Sequence, residues 1–447
     1  MAVDSWLCLG GMEIASACRS GVYAGNGFRP LGVDINPCGC CGTAAQWAAA
    51  MGDTPYTNPT DDEAPWYAAS EPHSGDFGGF FVTSTSGLGA GPITRSLTTR
   101  ANGRGSFIGP AVQTASVVTV TGILFGKTCC SVEYGLRWLG TVLQGSCGSD
   151  CDGDTLMFLD CCPDFSACEN EFDCLTPNLR YLENVQLIQS PAITRRYGSC
   201  CGNCKGAAYM EVTFQLAGLP CVYRDPVNIT ADQPFAAEDP TDCDITWTLL
   251  ADGQTCPEET DCEPVGDCLT GDCGDLPSPP SAPAPENPCI CYSFNTRRAV
   301  VTIPAGTIPE YTEGLPVALV KSGSKALRQV RLRFFLANQG QTIDQVDPCA
   351  ACGEVTLSQI PANSTFTFDG KTRKATILCP GAPLDPIDAT TLMGSAGGRL
   401  PLQWPEIQCS GSRFLMSVEA DADSVAADAS VSLSIVASEC FSSVGGA

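Results

Sequence analysis

Apolar and polar residues alternate along several stretches in the first half of the chain, and this period of two predicts β-strands. In SVVTVTGILFGKT the residues Val118, Val120 and Leu124 alternate with polar or glycine positions, as one buried face of a strand requires. The same alternation of apolar and polar residues predicts long strands in LRYLENVQLIQSP and AAYMEVTFQLAGLPCVY. The buried positions predicted for the second of these are Met210, Val212, Phe214 and Leu216.

The same alternation returns in the last third of the chain. Apolar and polar residues alternate in SRFLMSVEA and in ASVSLSIVA. The stretch TFTFDGKTRKATIL predicts two strands joined at the Asp369-Gly370 turn, because this dipeptide is a strong hairpin signal. In RQVRLRFFLA the alternating apolar positions are Val330, Leu332, Phe334 and Leu336. The pattern predicts a mainly β protein with two β-sandwich-like domains.

One segment has helical spacing instead. In CCSVEYGLRWLGTVLQG the apolar residues recur every three or four positions, which predicts an amphipathic helix that packs one face onto the sheet of the first domain. Ser131 is expected to cap its start, and Gly145 stands where a left-handed residue ends a helix. The apolar face consists of Val132, Leu136, Leu139, Val142 and Leu143. Taken alone, this helix is an ordinary core helix.

Composition separates the two strand-rich regions. Residues 238–287 contain 13 acidic residues and no Lys or Arg, and the run LPSPPSAPAPENP within them favours the extended polyproline conformation. At 447 residues the chain is also too long for one core. We therefore predict a first domain at 1–250, an acidic Cys- and Pro-rich linker at 251–288, and a second domain at 289–447.

Charge excludes some classes of partner. The chain has 24 Lys and Arg against 49 Asp and Glu, a net charge of −25, so its surface repels phosphate backbones and anionic lipids. Specific nucleic-acid binding is not expected. The opening MAVDSWLCLGGMEIASAC has no basic segment before an apolar one, and no run of 18 apolar residues follows, so neither membrane insertion nor export by the usual route is expected.

The 29 cysteines conflict with the expected lack of a leader, because the cytosol keeps thiols reduced. A protein made in a cytosol but used outside it, such as a component of a virus particle released by lysis, resolves the conflict. Local disulfides are expected within 147–174 and 256–273, and the odd total leaves at least one cysteine over. The candidates are Cys147, Cys151, Cys161, Cys162, Cys168, Cys174, Cys256, Cys262, Cys268 and Cys273.

Candidate chemistry is sparse. His73 is the only histidine, so a catalytic triad or a multi-histidine metal site would have to include it, and it stands in a glycine-rich loop. Neither a Walker loop nor a dinucleotide-binding glycine motif occurs. Two Cys-x-x-Cys pairs have zinc-knuckle spacing but fall in different predicted domains, which makes disulfides the main alternative: Cys201 with Cys204 and Cys349 with Cys352. We predict no enzyme, no cofactor and no catalytic residue.

The order of strand, turn and helix in SVVTVTGILFGKTCCSVEYGLRWLGTVLQG, with RSLTTRANGRG ahead of it, resembles the N-terminal domain of siphophage distal tail proteins and the cysteine-rich minor tail proteins of phages infecting actinobacteria. GGMEIASACRSGVYAG resembles the opening strands of that domain, and LRYLENVQLIQSP and YMEVTFQLAGLPCVYRDP its closing strands. The resemblance implies a distal-tail-like ring domain, commonly hexameric, at the lower end of the tail tube. It also implies a galectin-like β-sandwich as the second domain.

These observations together predict a virion structural protein of the phage tail tip, made in the host cytoplasm, whose ring connects the tail tube to the hub or receptor-binding apparatus. The expected partners are further copies of the chain, the tail tube protein, and the hub or other minor tail proteins, with DNA passing through the lumen. A host-surface carbohydrate-binding protein is the first alternative, in which Trp404 and Tyr311 stack on sugars instead of filling the core. An extracellular hydrolase and a zinc protein are further alternatives.

Overall fold

The chain forms two β-rich units, Met1–Asp225 with Ala437–Ala447, and Pro226–Val436. The structure is a computed structural model that describes residues 3–28, 42–89, 91–99, 106–145, 153–197, 206–236, 246–248, 291–293, 296–309, 312–346, 351–380, 386–390, 393–394, 404, 407 and 413–439. The predicted linker 251–288 lies outside these residues, and the predicted ranges 1–250 and 289–447 remain predictions drawn from composition.

The four α-helices of the described chain all lie in the first unit. Its helices are α1 (Ala17–Tyr23), α2 (Ala44–Met51), α3 (Cys129–Leu143) and α4 (Glu171–Leu175). Its strands are β1 (Val3–Leu9), β2 (Met12–Ser16), β3 (Phe77–Ser86), β4 (Ile93–Thr99), β5 (Ser106–Gln113), β6 (Ser116–Gly126), β7 (Asp154–Leu159), β8 (Leu179–Tyr197), β9 (Ala208–Gly218) and β10 (Val222–Tyr223).

Two antiparallel layers of the first unit share the 19-residue strand β8. One layer has the order β3-β6-β9-β8, and the other has the order β2-β1-β7-β8. The predicted inward positions of β6 and β9 are buried: Val118, Val120, Leu124, Met210, Val212, Phe214 and Leu216. The alternation in these strands therefore points one row of apolar side chains into a single core, as the sequence predicts.

Helix α3 lies on the β3-β6-β9-β8 sheet and contacts all four of its strands. Leu139 and Leu143 are buried on its inner face together with Val132, while Leu136 and Val142 are half-buried against the same core. The predicted cap was wrong by one turn, because Thr128 is the N-cap and Ser131 completes a capping box with it. Gly145 has a φ of 91°, as the sequence predicts for the residue that ends the helix.

The short helices α1 and α2 were not predicted. Each begins at a side-chain cap, since Ser16 Oγ accepts from the Arg19 amide and Thr43 forms a capping box with Gln46. Both helices have only seven or eight residues. An apolar stripe needs about two to three turns to be visible as a period, so helices of this length leave little signal.

The end of the chain belongs to the first unit. Val222 and Tyr223 of β10 pair with Glu439 and Ser438, the last residues of β23 (Ser430–Glu439). The Glu439 carboxylate lies 2.7 Å from Arg224 Nη2 and 3.3 Å from Arg180 Nε. An acid between two arginines fixes this terminal pairing.

The second unit is a β-sandwich. One sheet has the order β14-β22-β16-β17-β21, and the other contains β11, β23, β15, β18, β19 and β20. A single core lies between them, with Leu332, Phe366, Phe368 and Leu433 among its fully buried side chains. Its strands are β11 (Val227–Pro234), β14 (Thr296–Ile303), β15 (Glu313–Lys321), β16 (Leu327–Ala337), β17 (Gly353–Ile360), β18 (Thr365–Asp369), β19 (Lys374–Leu378), β20 (Ile387–Asp388), β21 (Met393–Gly394) and β22 (Arg413–Asp421), while β12 (Thr246–Thr248) and β13 (Cys291–Ser293) form a separate pair.

The fold class predicted from the sequence, mainly β with two sandwich-like domains and one amphipathic helix packed in the first, is confirmed. Whether the second sandwich is galectin-like remains a prediction. One buried position was predicted wrongly, because Leu336 is exposed whereas Phe335 and Ala337 are buried on the opposite face. There they form a small second core with Val346 and Leu415, so the end of β16 is covered on its other side.

Candidate assembly surfaces

The hairpin β4–β5, here called the arm, extends the β3–β6 hairpin from which it emerges. The Gly91 amide donates to the Pro220 carbonyl (2.5 Å) and the Thr114 amide to the Pro92 carbonyl (3.0 Å), and these bonds fix the base of the arm. Gly87 at the same place has a φ of 84°, and a Cβ there would lie 1.9 Å from the Val117 carbonyl oxygen. The chain therefore leaves the sheet along a defined path.

The arm exposes large apolar side chains on a two-stranded ribbon. Leu97 and Ile108 face each other across the strands and are 70% and 67% exposed. Ile93, Phe107 and Val112 are exposed as well. Within the described residues, β4 and β5 pair only with each other. A two-stranded ribbon is marginally stable alone in water, and a grouped apolar surface of this kind marks a contact with another molecule.

The strand β8 presents an open edge. Its residues 186–197 pair with β9 on one side, and no strand in the described part of the chain covers the other side. Ile188 on this edge is 53% exposed. Pro191 at the middle of the edge, two arginines at its end and three irregularities in the pairing with β9 limit backbone pairing with a further strand, so a partner would contact this edge mainly through side chains.

The end of that edge is basic and aromatic. Arg195 lies over the ring of Tyr197, and Tyr197 stacks on Tyr209 with ring centroids 4.3 Å apart. Arg196 Nη1 is 2.8 Å from Glu133 Oε1 on α3. Arg195 Nη1 is 3.6 Å from Glu211 Oε1 on β9, so each arginine has a carboxylate partner in the same chain. The Arg195 and Arg196 side chains are 60% and 53% exposed, so water screens both pairs.

A buried ion network holds the segment before β3 in place. Arg19 on α1 donates to Glu13 Oε1 (2.8 Å) and to Asp53 Oδ2 (2.7 Å), and its guanidinium lies 4.3 Å from the centre of the Tyr56 ring. The Tyr23 hydroxyl donates to Asp62 (2.9 Å). Burial raises the pKa of Glu13 above its ordinary value, and Arg19 opposes this shift. Two carboxylates share the Arg19 guanidinium, and the network joins β2 and α1 to the segment before β3.

The predicted cysteine sites fall partly within the described residues. Cys168 and Cys174 form a disulfide with Cα atoms 5.7 Å apart, and Cys162 is disulfide-bonded too, as are Cys18, Cys129 and Cys221. Cys161, also a predicted candidate, is instead a thiol that donates to Asn178 Oδ1 (2.8 Å). The candidates outside the described residues are Cys147, Cys151, Cys256, Cys262, Cys268 and Cys273, and their pairing remains a prediction.

The predicted metal ligands fall almost entirely outside the part of the chain that the structure describes. Of the two zinc-knuckle pairs only Cys352 is described, as an exposed thiol, while Cys201, Cys204 and Cys349 lie outside the described residues. Among the residues described, no three His, Cys, Asp or Glu side chains form a group that could hold a metal ion. His73 is half-buried just before a single 3₁₀ turn. The helices of the described chain include none long and apolar enough to cross a membrane.

The aromatic residue considered for sugar stacking has another partner. Trp404 is half-buried against the core of the second unit and stacks on Phe368, with ring centroids 4.7 Å apart and planes 21° from parallel. One face of the indole is therefore used within the protein, as the core interpretation of this residue predicts. Tyr311 lies outside the described residues.

Comparisons with known proteins find structural similarity only. No family model and no curated protein matches the chain. The Dit protein of phage SPP1, described as a paradigm of the hub adsorption apparatus in phages that infect Gram-positive bacteria, is similar at 10% identity and a TM-score of 0.36, over 80% of this chain and 93% of that chain.

The baseplate of phage p2 in its activated conformation is similar at 11% identity, over 77% of this chain and 92% of that chain. The TM-score is 0.30 for the form with strontium and 0.31 for the form with calcium. These TM-scores do not establish a family.

The arm and the open edge were not predicted from the sequence. RSLTTRANGRG, which contains most of β4, has three arginines and no clear alternation, and SFIGPAVQ is interrupted by Gly109 and Pro110. A signal was present, because Leu97, Phe107 and Ile108 flank a glycine-rich stretch as in a hairpin. That signal does not reveal that the hairpin is exposed.

Proposed function

We propose that this protein is a structural subunit of a phage tail tip, which forms a closed ring between the tail tube and the hub or receptor-binding apparatus. The observation that carries the proposal is the arm, a ribbon with five large exposed apolar side chains. Such a surface is costly in a free monomer and is explained by a permanent contact. The sequence resemblance to distal tail proteins supplies the kind of assembly and the expected number of six copies.

The two surfaces have different directions and therefore different roles. The arm lies between β3 and β6 in the chain, forms a sheet of its own, and is about 24 Å long at 3.4 Å per residue, so it can contact an adjacent component of the tail. The open edge of β8 runs along the side of the sheet, where a second copy of the chain can dock. We assign the arm to the tube or hub, and the edge to ring closure.

Charge is consistent with a conduit for DNA. The net charge of −25 makes adhesion of phosphate backbones unfavourable, as passage through a lumen requires. The proposal includes no cofactor and no catalytic step. It places the protein in the virion, without insertion into a membrane.

The experiment is reconstitution of the full chain with the tail tube and hub proteins encoded beside it in the phage genome. Negative-stain images and sedimentation are expected to give rings that bind one or both partners. A Leu97→Asp, Ile108→Asp variant is expected to remain folded and to lose partner binding by about 100-fold or more, because two buried carboxylates lack counter-charges. A monomer that binds neither partner contradicts the proposal.

The matched control is Thr98→Asp with Thr99→Asp, which adds the same charge at exposed polar positions of the same strand. Circular dichroism confirms that both variants keep the wild-type β content. Equal loss of binding in the two variants would mean that charge, and not the apolar surface, controls binding, and would remove the role assigned to the arm.

A further inference from the structure

The arm carries large apolar side chains on both of its faces. Leu97 and Ile108 are opposite each other, and Ile93 lies four residues before Leu97, so these three share one face, here called face one. Phe107 adjoins Ile108 and therefore projects to the other face, here called face two. Val112 is paired one position further along β4 than Ile93, so it projects to face two as well. All five side chains are exposed.

An irregularity in β5 produces this distribution. Between the pairs Arg95–Ala111 and Leu97–Ile108, β5 has two residues where β4 has one. The extra residue reverses the alternation along β5. Without it, Ile108 and Val112 would share a face, because they are four residues apart. As a result, neither face of the arm is wholly polar.

Cover on one face alone leaves apolar side chains of the other face in water. A strand that lies on one surface alternates between apolar and polar residues, whereas a strand covered on both sides is apolar on both. Contact through face one would leave Phe107 and Val112 exposed, and contact through face two would leave Leu97 exposed. The distribution of side chains therefore fits a cleft with two apolar walls.

The arm is also free of acidic residues in an acidic chain. The chain has 49 Asp and Glu, yet residues 77–132, which include the arm, contain none. Arg95 lies between Ile93 and Leu97 on face one, is exposed, and donates from Nη1 to the Gly109 carbonyl (3.4 Å). None of the ion pairs within the described part of the chain includes Arg95. Its charge therefore favours a partner with a carboxylate at this position.

We propose that the arm inserts into a cleft of a second tail protein, with apolar walls against both faces and a carboxylate beside Arg95 in the wall that covers face one. The inference deepens the proposed function and rests on it, because that function assigns the arm to the tube or hub. The backbone bonds of Gly91 and Thr114 fix the base of the arm, so its direction is set before binding. Insertion covers all five apolar side chains, whereas contact through one face covers two or three.

The test changes one face at a time in the full-length chain. Leu97→Thr with Ile108→Thr changes face one, and Phe107→Thr with Val112→Thr changes face two. Threonine keeps the strand preference of the ribbon and removes apolar area. Binding to the tail tube and hub proteins encoded beside it is measured by isothermal titration calorimetry. Each double variant is expected to bind its partner at least about 30-fold more weakly than wild type.

The matched control is Thr98→Ser with Thr99→Ser, which changes one exposed polar position on each face. It is expected to bind within about 3-fold of wild type, since no large apolar side chain is lost. Thermal unfolding of the free subunit is expected to shift by less than about 2 °C in every variant, because the arm is exposed. This measurement separates lost binding from lost folding.

The charge of Arg95 is tested separately. Arg95→Glu is expected to bind about 10-fold more weakly than wild type at about 0.05 M salt, and the gap is expected to fall below about 3-fold at about 0.5 M salt because of screening. Arg95→Lys, which keeps the charge, is expected to stay within about 3-fold of wild type. Lys325→Glu makes the same change of charge at an exposed position of the second unit and is expected to leave binding unchanged.

The outcomes separate the two proposals. Lost binding in one face variant only, or in neither, overturns the insertion but leaves the ring function standing. An Arg95→Glu variant that binds like wild type overturns the carboxylate in the cleft. Arm variants that change the sedimentation of the chain alone overturn the second tail protein as the occupant, because a second copy then covers the arm. A wild-type chain that binds neither protein and forms no ring overturns the proposed function itself.

Discussion

The arm β4–β5 and the hairpin β18–β19 are both short antiparallel ribbons with apolar residues, yet their surroundings differ. β18 pairs with β15, and Phe366, Phe368, Ala375 and Ile377 are buried in the second unit. The arm has comparable apolar residues, but most of its surface is exposed. The hairpin β18–β19 is stabilised by burial within its own chain, whereas the arm leaves its apolar side chains exposed.

This difference separates residues that maintain the fold from residues that are available for assembly. A fully buried phenylalanine contributes about 1.5–3 kcal/mol through the removal of apolar area from water, but an exposed one contributes little until a partner covers it. The two hairpins therefore allow matched experiments, in which the same substitution is made in each and the results are compared.

The largest expected contrast is in amide hydrogen exchange. In the free subunit, amides of β18–β19 are expected to exchange at least about 1000-fold more slowly than those of β4–β5, because the former open only with the core while the latter open locally. Mass spectrometry of exchange at single-peptide resolution measures this. Addition of the tube and hub proteins is expected to protect β4–β5. Slow exchange of the arm in the free subunit would show that another part of the chain covers it.

The next contrast is between two phenylalanine substitutions. Phe366→Ala is expected to lower the free energy of unfolding by about 3–5 kcal/mol, because it leaves a cavity in a packed core. Phe107→Ala, at a site 59% exposed, is expected to change it by less than about 0.5 kcal/mol. Urea denaturation of both variants measures the difference. Similar losses in the two variants would abolish the distinction between the hairpins.

The smallest effect concerns the turn of the buried hairpin. Asp369 accepts hydrogen bonds from the Lys371 amide (2.8 Å) and from the Thr372 hydroxyl (2.8 Å). Asp369→Ala is expected to cost about 1 kcal/mol of unfolding free energy, since one of these bonds is exposed to water and the other is only partly buried. Asp369→Asn is the matched control, because it keeps the shape of the side chain and one carbonyl acceptor. No loss in the alanine variant would mean that the backbone alone sets the turn.

This turn also shows a limit of local prediction. The Asp369-Gly370 pair predicts a two-residue turn, but Asp369 pairs with Lys374, so that four residues form the loop. Arg373 has a φ of 54° and takes the left-handed position instead. The two strands are present as predicted, and the loop is longer than a two-residue turn because the Asp369 side chain accepts hydrogen bonds from residues two and three positions further along.

The candidate assembly surfaces were predictable only in part. The helix α3 and the strands around it followed from the sequence, since their periods extend over ten or more residues. The open edge of β8 did not, because a strand's alternation is the same at the edge and in the middle of a sheet. The bonding state of the cysteines could not be predicted from the sequence either. Cys161 is a thiol, whereas its neighbour Cys162 forms a disulfide.

The sequence by itself determined the mainly β fold, the rows Val118-Val120-Leu124 and Met210-Val212-Phe214 that enter the core, and the inner face of α3. Only the tertiary structure decided that β4–β5 lies exposed and that β8 has an uncovered edge. The reason is physical: periodicity records which side chains share a face, whereas exposure depends on pairing between strands far apart in the chain.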